Sequence, residues 1–290
     1  MLESAEGNKS PLEGAGSVIS ADLQERLARR AKATGQSPDT LMEQLVRAGL
    51  ANDSKARALH VTTPVNALVE GIYQENVSIA EVLEHGDFGL GTFNHLDGEM
   101  VVLDGVVYQL KSDGQAYSVA PDTHTPYACV NFFSPDSTED IEQVLDFSGL
   151  TELLERMLPS SNMIYAVRID GEFGYIRTRS VPRQDCYRPL VEVAREQPEF
   201  EYRDVAGVMT GYWTPTFMEA LTVPGFHLHF IDEQREHGGH LLACETRSMR
   251  VAIQHLPCLE VGLPVSLDYL TAEFTRNLGA DLKEAETSQE

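Results

Sequence analysis

Residues 225–245 read GFHLHFIDEQREHGGHLLACE, and this stretch decides how the larger part of the chain folds. Side chains two residues apart on a β-strand point to the same face, so His227 and His229 project together. The polar segment after them ends in Gly238-Gly239, which predicts that the chain turns back and pairs with itself. That return brings His240 beside the first two histidines. The apolar residues of the first strand are expected to face the core: Phe226, Leu228 and Phe230.

Three imidazoles on one face of a hairpin form a ligand set that suits Zn²⁺ and leaves one coordination position open. The spacing does not separate Zn²⁺ from Fe²⁺, Mn²⁺ or Ni²⁺. A His-x-His strand also occurs as an ordinary structural or surface feature, so spacing alone leaves a metal centre and a structural strand both open. His237 falls in the predicted turn, where we expect it to be exposed to solvent.

Short apolar runs bounded by Gly, Asp and Pro extend in both directions from this hairpin. The segment EMVVLDGVVYQL (99–110) holds Asp104-Gly105 between two such runs, which is a strong signal for a second hairpin. Strands are predicted over 100–103, 106–110, 163–169, 174–176, 226–231 and 241–244, and helices over 65–73, 78–84, 152–158, 190–196 and 270–286. The fold class is therefore α+β, with mostly antiparallel sheet.

The first sixty residues have a different character from the rest. Residues 1–16 are rich in Gly, Ser, Glu and Pro, which predicts a disordered tail. Ser20 is placed to cap a helix that Gly35 ends, and Pro38 begins a second helix. The apolar positions of these two helices are Leu23, Leu27, Ala31, Leu41, Leu45 and Val46.

A short strand followed by two helices over 17–50 resembles the ribbon-helix-helix fold, and 51–59 is predicted to be a linker. In that fold the paired ribbon of a dimer reads DNA. Here 17–19 contains no basic residue, and 1–60 carries eight basic and eight acidic side chains, so this segment is neutral. Because DNA binding requires positive charge, we expect 17–59 to be a small helical appendage that supports dimerisation.

The charge and the cysteines exclude several classes of partner. The formal net charge is −23, and all of it falls on 61–290. Such an acidic surface repels nucleic acid and anionic membranes, and an anionic substrate would need a local positive centre. No stretch approaches the roughly 20 apolar residues of a membrane helix, and the N-terminus lacks the pattern of a signal peptide. Four scattered cysteines without a CxxC pair favour free thiols, so the cytoplasm is the expected location.

Several segments together resemble the α-acetolactate decarboxylase family. They are GFHLHFIDEQREHGGHLL (225–242), HGDFGLGTFNHLDGEMVVLDGVVYQL (85–110), VAPDTHTPYACVNFF (119–133) and TRSVPRQDCYRPL (178–190). The resemblance covers about 60–286 and implies two β-sheet lobes with a metal between them. It also implies that 60–290 forms the catalytic domain, with 17–59 outside it.

The resemblance assigns the residues of the site one by one. The family's three metal-bound histidines fall on His227, His229 and His240. Its active-site glutamate falls on Glu99 and its threonine on Thr92. Its arginine falls on Arg179, with Arg177 on the same strand face as the nearest alternative. A glutamate near the C-terminus, which folds back to the metal, fits Glu286 best by spacing, with Glu284 as the alternative.

The resemblance also implies a reaction, the conversion of (S)-2-acetolactate to (R)-acetoin and CO₂. A divalent metal, expected to be Zn²⁺, would accept electron density, Arg179 would hold the carboxylate, and glutamates would transfer protons. We expect a homodimer that acts on a small 2-hydroxy-3-oxo acid and binds no nucleic acid.

Two other functions remain open from the residues alone. One is a different metal-dependent lyase, hydrolase or oxygenase on the same three histidines, although oxygenases often use two histidines and a carboxylate. The other is a DNA-binding regulator that senses a small molecule, for which the required basic ribbon is absent from 17–19.

Overall fold

A seven-stranded sheet forms one half of the protein body. The computed structural model describes residues 20–50, 57–186, 188–274 and 282. The strands of this sheet, in spatial order, are β14 (Cys258–Val261), β1 (Ala58–Val61), β8 (Ala128–Asn131), β3 (Phe88–Thr92), β4 (Glu99–Leu103), β5 (Val106–Leu110) and β6 (Ala116–Ser118). The β1–β14 pair is parallel and the other ladders are antiparallel. Asp104 and Gly105 both have positive φ in the β4–β5 turn, which confirms the predicted hairpin.

A five-stranded sheet forms the other half. Its strands, in spatial order, are β10 (Ile164–Arg179), β11 (Glu199–Thr214), β12 (Gly225–Asp232), β13 (Gly238–Leu256) and β9 (Ser137–Ile141). An additional pairing between β10 and β13 joins the first and fourth strands in this order, so that β10, β11, β12 and β13 form a closed ring of paired strands. A separate small sheet pairs β2 (Val77–Ser78) with β7 (His124–Thr125). The α+β class with mostly antiparallel sheet is confirmed.

The two separate strands predicted over 163–169 and 174–176 are one strand, β10. The Asp-Gly segment between them suggested a break in the chain. Instead, the register with β13 shifts near Phe173, so the strand continues through a bulge. A Cβ atom at Gly171 would lie 2.7 Å from the carbonyl oxygen of Ser248. The glycine therefore permits a close approach of two strands and does not end one.

Apolar side chains form three layers in and around the two sheets. The layer between the sheets includes Leu90 and Val101 from the first sheet and Val208 and Ile231 from the second. The outer face of the second sheet is covered by α5 (Phe147–Met157), and that of the first by α4 (Ile79–Leu83). Because burial of apolar surface is the main favourable term in folding, this arrangement holds the two sheets face to face.

The remaining helices of the body are short. They are α3 (Val65–Val69), α6 (Leu190–Ala194) and α7 (Leu267–Thr271), with 3₁₀ turns at Asn94–Leu96 and Thr216–Met218. The helix predicted over 270–286 is not continuous, because α7 ends at Thr271 and 272–274 are not helical, although Leu282 is helical. Leu267 and Leu270 are 76% and 66% exposed, so the apolar spacing there does not mark a face packed on the core.

Two N-terminal helices, α1 (Ala21–Thr34) and α2 (Pro38–Leu50), begin and end as predicted. The hydroxyl of Ser20 accepts a hydrogen bond from the backbone of Leu23, and Gly35 ends α1 with φ +70°. Arg30 donates hydrogen bonds to the carbonyl oxygens of Leu158 and Pro159, so α1 docks on the end of α5. These hydrogen bonds connect α1 to the rest of the structure.

The predicted apolar faces of these two helices are only partly buried. Ala31 and Leu41 are buried, whereas Leu23, Leu45 and Val46 are 47%, 39% and 47% exposed. The predicted tail over 1–16 and ribbon over 17–19 lie outside the described residues. The last part of the predicted linker belongs to the first sheet, since β1 begins at Ala58. Within the described ranges, no helix has the length and apolar character needed to cross a bilayer.

Candidate metal centre and active site

Three histidines converge on the inner face of the β12–β13 hairpin. His229 lies directly opposite His240 in the strand register, and His227 precedes His229 by two residues on the same face. The ring centroids are 5.0–5.4 Å apart, and one ring nitrogen from each residue lies within 4.8 Å of the others. The predicted convergence of the three imidazoles is confirmed, and the geometry can hold a metal ion.

Gly238 and Gly239 contribute to this site in a way that the sequence did not indicate. The turn is made by residues 233–237, where Arg235 has φ +61°, and both glycines already belong to β13. A Cβ atom at Gly239 would lie 2.4 Å from the carbonyl oxygen of Arg179, and φ there is +153°. The two glycines therefore allow neighbouring strands to approach closely around His240.

We expected His237 to be exposed to solvent, but it is partly buried. Its side chain is 37% exposed, and Nδ1 lies 3.1 Å from a carboxylate oxygen of Asp232. Asp232 also accepts a hydrogen bond from the backbone of Glu236 within the same turn. His237 consequently helps to close the turn and lies apart from the three converging rings.

The orientation of the His229 ring is set by the opposite sheet. Its Nδ1 lies 2.8 Å from the carbonyl oxygen of Met100 in β4. A carbonyl only accepts hydrogen bonds, so Nδ1 carries the proton and Nε2 keeps its lone pair. Metal-bound histidines commonly use a carbonyl or carboxylate in this way to fix the ring and its tautomer. The residues present therefore fit a divalent cation that prefers nitrogen ligands.

The surroundings keep the imidazole of His227 neutral. His229 and His240 are 1% and 5% exposed, and His227 is partly buried. Removal of its ring from solvent, together with the positive charge of Arg179, lowers the pKa of His227 to about 3. Since only a neutral imidazole has a lone pair to offer, His227 is ready to bind a cation at neutral pH.

Glu99 and Thr92 lie opposite each other on adjacent strands of the first sheet, facing the histidines. Glu99 begins β4, Thr92 ends β3, and the two are paired in register. The Oε2 atom of Glu99 lies 3.7 Å from Nε2 of His229, and Glu99 is 8% exposed. The Thr92 hydroxyl donates a 2.7 Å hydrogen bond to the carbonyl of Gly98, which steadies the turn leading into Glu99.

Arg179 and Arg177 have different surroundings, although both belong to β10. Arg179 lies opposite His240, is 6% exposed and lines the cavity next to the histidines. The side chain of Arg177 is 32% exposed and pairs with Glu199 at 3.7 Å. Arg179 therefore lines the cavity beside His240, whereas Arg177 is not among the residues that line it.

A small cavity of about 40 Å³ lies between the two sheets. The three histidines, Glu99, Thr92 and Arg179 line it, together with Tyr127 and Gln197. An apolar wall completes it, formed by residues that include Val65, Leu68, Leu96, Val181, Leu190 and Val223. The sequence reasoning missed Tyr127, Gln197 and this wall. Tyr127 lies within 119–133, a segment already singled out, whereas the apolar residues give no local signal that distinguishes a cavity wall from ordinary core.

The C-terminal candidates Glu284 and Glu286 lie outside the described residues. Leu282, which precedes them, is described and is 2% exposed. It belongs to the apolar layer between the sheets that also contains Leu96, Val181 and Leu190 from the cavity wall. The chain thus returns to the layer that holds the cavity shortly before these glutamates.

The fold and the cavity together define an α+β protein of two packed sheets, with a buried three-histidine centre and a site for a small molecule. The family model described as alpha-acetolactate decarboxylase matches residues 59–276. The chain belongs to the alpha-acetolactate decarboxylase family.

Individual relatives agree with this assignment. The alpha-acetolactate decarboxylase of Methanosarcina mazei is 39% identical over 81% of this chain and 82% of its own length. That of Bacillus licheniformis is 38% identical over 82% of this chain and 95% of its own. The crystal structure of the Bacillus subtilis enzyme superposes with a TM-score of 0.78 at 35% identity, covering 80% of this chain and all of that one.

Proposed function

We propose that this chain converts (S)-2-acetolactate into (R)-acetoin and CO₂ with the help of one divalent metal ion. The observation that carries the proposal is the placement of Arg179 and Glu99 around three converging histidines in one cavity. The small size of the cavity suits a small molecule and leaves no room for a polymer. The named activity of its relatives identifies the substrate.

His227, His229 and His240 would hold the ion, and we propose Zn²⁺. Three imidazole nitrogens without a thiolate suit a borderline cation and leave a coordination position for substrate oxygen. When bound, such an ion supplies a Lewis acid that takes up electron density as CO₂ leaves. The Met100 carbonyl supports this role. It holds the proton of His229 on Nδ1, so the lone pair of the ring is on Nε2.

Arg179 binds the substrate carboxylate. A nearly buried guanidinium is a fixed positive charge, and its planar donors match a carboxylate. The net charge of −23 would otherwise disfavour an anionic substrate. Arg179 therefore supplies the local positive centre that the rest of the surface lacks.

Glu99 transfers a proton in the second half of the reaction. When the bond to the carboxylate breaks, its electron pair stays on the substrate, and one carbon must then accept a proton. The carboxyl of Glu99 lies beside His229 at 3.7 Å and is within the cavity, so it can deliver a proton there. Thr92 positions the turn that carries Glu99, and delivery from one side would make the product chiral.

Glu286 is proposed as the second carboxylate, with Glu284 as the alternative. Leu282 supports this because it is buried in the layer that holds the cavity, four residues before Glu286. The apolar wall excludes water, which strengthens the electrostatic interactions inside. In Glu286→Gln we expect turnover to fall by about 10²–10⁴ with the metal retained, and in Glu284→Gln no more than a small change. The reverse result would move the role to Glu284.

The proposal extends to assembly and location. Residues 60–290 would form the catalytic domain and 17–59 an appendage that joins two copies into a homodimer in the cytoplasm. The exposed Leu45 and Val46 on α2 support dimerisation, and four free cysteines fit a reducing compartment. Sedimentation of the full chain should show a dimer that dissociates in the L45E/V46E double variant. A monomeric wild type would contradict this.

Activity is tested on purified full-length protein with racemic 2-acetolactate in the absence of oxygen. We expect acetoin and CO₂ in equal amounts, loss of both after chelation, and recovery when Zn²⁺ is returned. Consumption of half of the racemate with one acetoin enantiomer formed first would support the stereochemistry. Absence of acetoin from metal-loaded protein would overturn the proposed reaction, and full activity after verified metal removal would overturn the role of the ion.

A further inference from the structure

His60, His85 and Glu260 form a second group of potential metal ligands, separate from the cavity. None of the three lines the cavity between the sheets. His60 in β1 lies directly opposite Glu260 in β14, the edge strand, and His85 follows α4. One nitrogen or oxygen from each side chain lies within 4.8 Å of the others. Three elements that are distant in sequence thus bring two imidazoles and a carboxylate together.

One carboxylate oxygen of Glu260 faces both rings. It lies 3.7 Å from Nδ1 of His60 and 4.0 Å from Nδ1 of His85. Both distances are too long for a hydrogen bond and leave space for an atom between the groups. Within the described part of the chain, Nδ1 of His60 is buried and has no hydrogen-bond partner. A buried nitrogen without a hydrogen-bond partner lowers the stability of the folded protein. A metal ion bound to this nitrogen would therefore stabilise the folded state.

The two rings are stacked, with centroids 3.7 Å apart and planes 9° from parallel. A metal ion lies in the plane of each imidazole that binds it, and parallel planes share no point. One ring must therefore tilt when an ion binds to both. The side chain of His85 is 42% exposed, whereas that of His60 is 17% exposed, so His85 has the freedom to move.

We propose that His60, His85 and Glu260 bind a second divalent transition-metal ion of the Zn²⁺ type at the edge of the seven-stranded sheet. Two imidazoles and one carboxylate are a common ligand set for such ions, and solvent can supply the fourth ligand at this partly exposed position. The ion would link the edge strand β14 to β1 and to the segment after α4. Its role is to stabilise the folded chain, since binding to the native state alone adds to stability.

The test titrates the full-length protein, already loaded with its first ion, with Zn²⁺ alone. Calorimetry and elemental analysis after gel filtration should give a second equivalent of zinc per chain. In His85→Ala and Glu260→Gln we expect the affinity of that equivalent to fall at least about tenfold. The matched control is His124→Ala, which removes an exposed histidine from β7 and should leave both equivalents unchanged.

Two results would overturn the second site: a single equivalent of zinc in the wild type, or a second equivalent that His85→Ala and Glu260→Gln both retain. The His229→Ala variant separates this question from the proposed reaction. It should lose the ion of the cavity and keep the equivalent that depends on His85. The ring ¹⁵N signals of His60 and His85 should shift on zinc addition in that variant, and unchanged signals would also count against the site.

Discussion

The Nδ1 atom of His229 lies 2.8 Å from the backbone carbonyl oxygen of Met100, so the main chain of one sheet orients a ring carried by the other. The candidate metal centre consequently depends on how the two sheets pack, and not on the β12–β13 hairpin alone. Glu99, which precedes Met100, reaches the same ring from the same strand. One short segment of β4 thus both orients a candidate ligand and supplies a candidate proton donor.

His229→Ala should lose both the metal of the cavity and turnover. The variant removes one of three nitrogen ligands from a nearly buried site, so we expect metal bound in the cavity to fall below about 0.2 equivalents and acetoin formation to fall more than about 100-fold, while the equivalent that depends on His85 is retained. Elemental analysis and an acetoin assay measure the two effects, with circular dichroism to check the fold. His124→Ala is the control and should retain both. A His229→Ala protein that is active without metal would refute the ligand assignment.

Arg179→Ala should lower kcat/KM by about 10²–10³ while the metal stays bound. The reason is that Arg179 lines the cavity opposite His240, whereas Arg177 pairs with Glu199 outside it. Arg177→Ala is therefore the matched control and should change kcat/KM less than about threefold. If Arg177→Ala is the damaging change and Arg179→Ala is mild, the carboxylate-binding role lies two residues earlier.

Glu99→Gln should lower kcat by about 10²–10⁴ with bound metal and stability nearly unchanged. The glutamine amide keeps the shape of the side chain, but it cannot act as a general acid. Single-turnover experiments should show CO₂ released before the slow step, with acetoin formation delayed. Glu155→Gln, on the exposed side of α5, is the control. Equal slowing of CO₂ release and acetoin formation would show that Glu99 acts in the decarboxylation step and not in the later proton transfer.

Gly239→Ala should destabilise the protein by about 1–3 kcal/mol and weaken metal binding. The added Cβ would lie 2.4 Å from the Arg179 carbonyl oxygen, so β10 and β13 must separate next to His240. Gly149→Ala, near the start of α5, meets only side-chain atoms at 3.3 Å or more and should leave stability unchanged or slightly higher. Urea unfolding measures both. A neutral Gly239→Ala would show that the strands can move apart freely.

Metal-free protein should lose stability as the pH falls from 7.5 to 5.5. The pKa of His227 is lowered to about 3 in the folded state, against 6.5 for an unperturbed histidine. Below pH 6.5 the unfolded chain binds the extra proton and the folded chain does not, so acid favours unfolding by about 1 kcal/mol from this group. Urea unfolding of chelated protein at the two pH values tests this. His227→Gln should make the dependence shallower by about 1 kcal/mol, and His124→Gln should not.

Local chain chemistry determined a large part of this structure. The alternation of His227 and His229, with a return strand bearing His240, was sufficient to predict three converging rings, because side-chain direction on a strand follows from backbone geometry. The Asp104-Gly105 turn and the caps at Ser20 and Gly35 were predictable for the same reason, since each depends on the conformational preference of one or two residues.

The rest of the site depends on how distant segments of the chain pack together. Arg179 lines the cavity and Arg177 instead pairs with Glu199, a difference that two arginines two residues apart do not show in the sequence. The contact of His229 with Met100, the pairing of Glu99 with Thr92 and the apolar wall all join segments that are far apart in the chain. Such contacts depend on the packing of two whole sheets, to which every buried residue contributes, so no short stretch of sequence contains the information that specifies them.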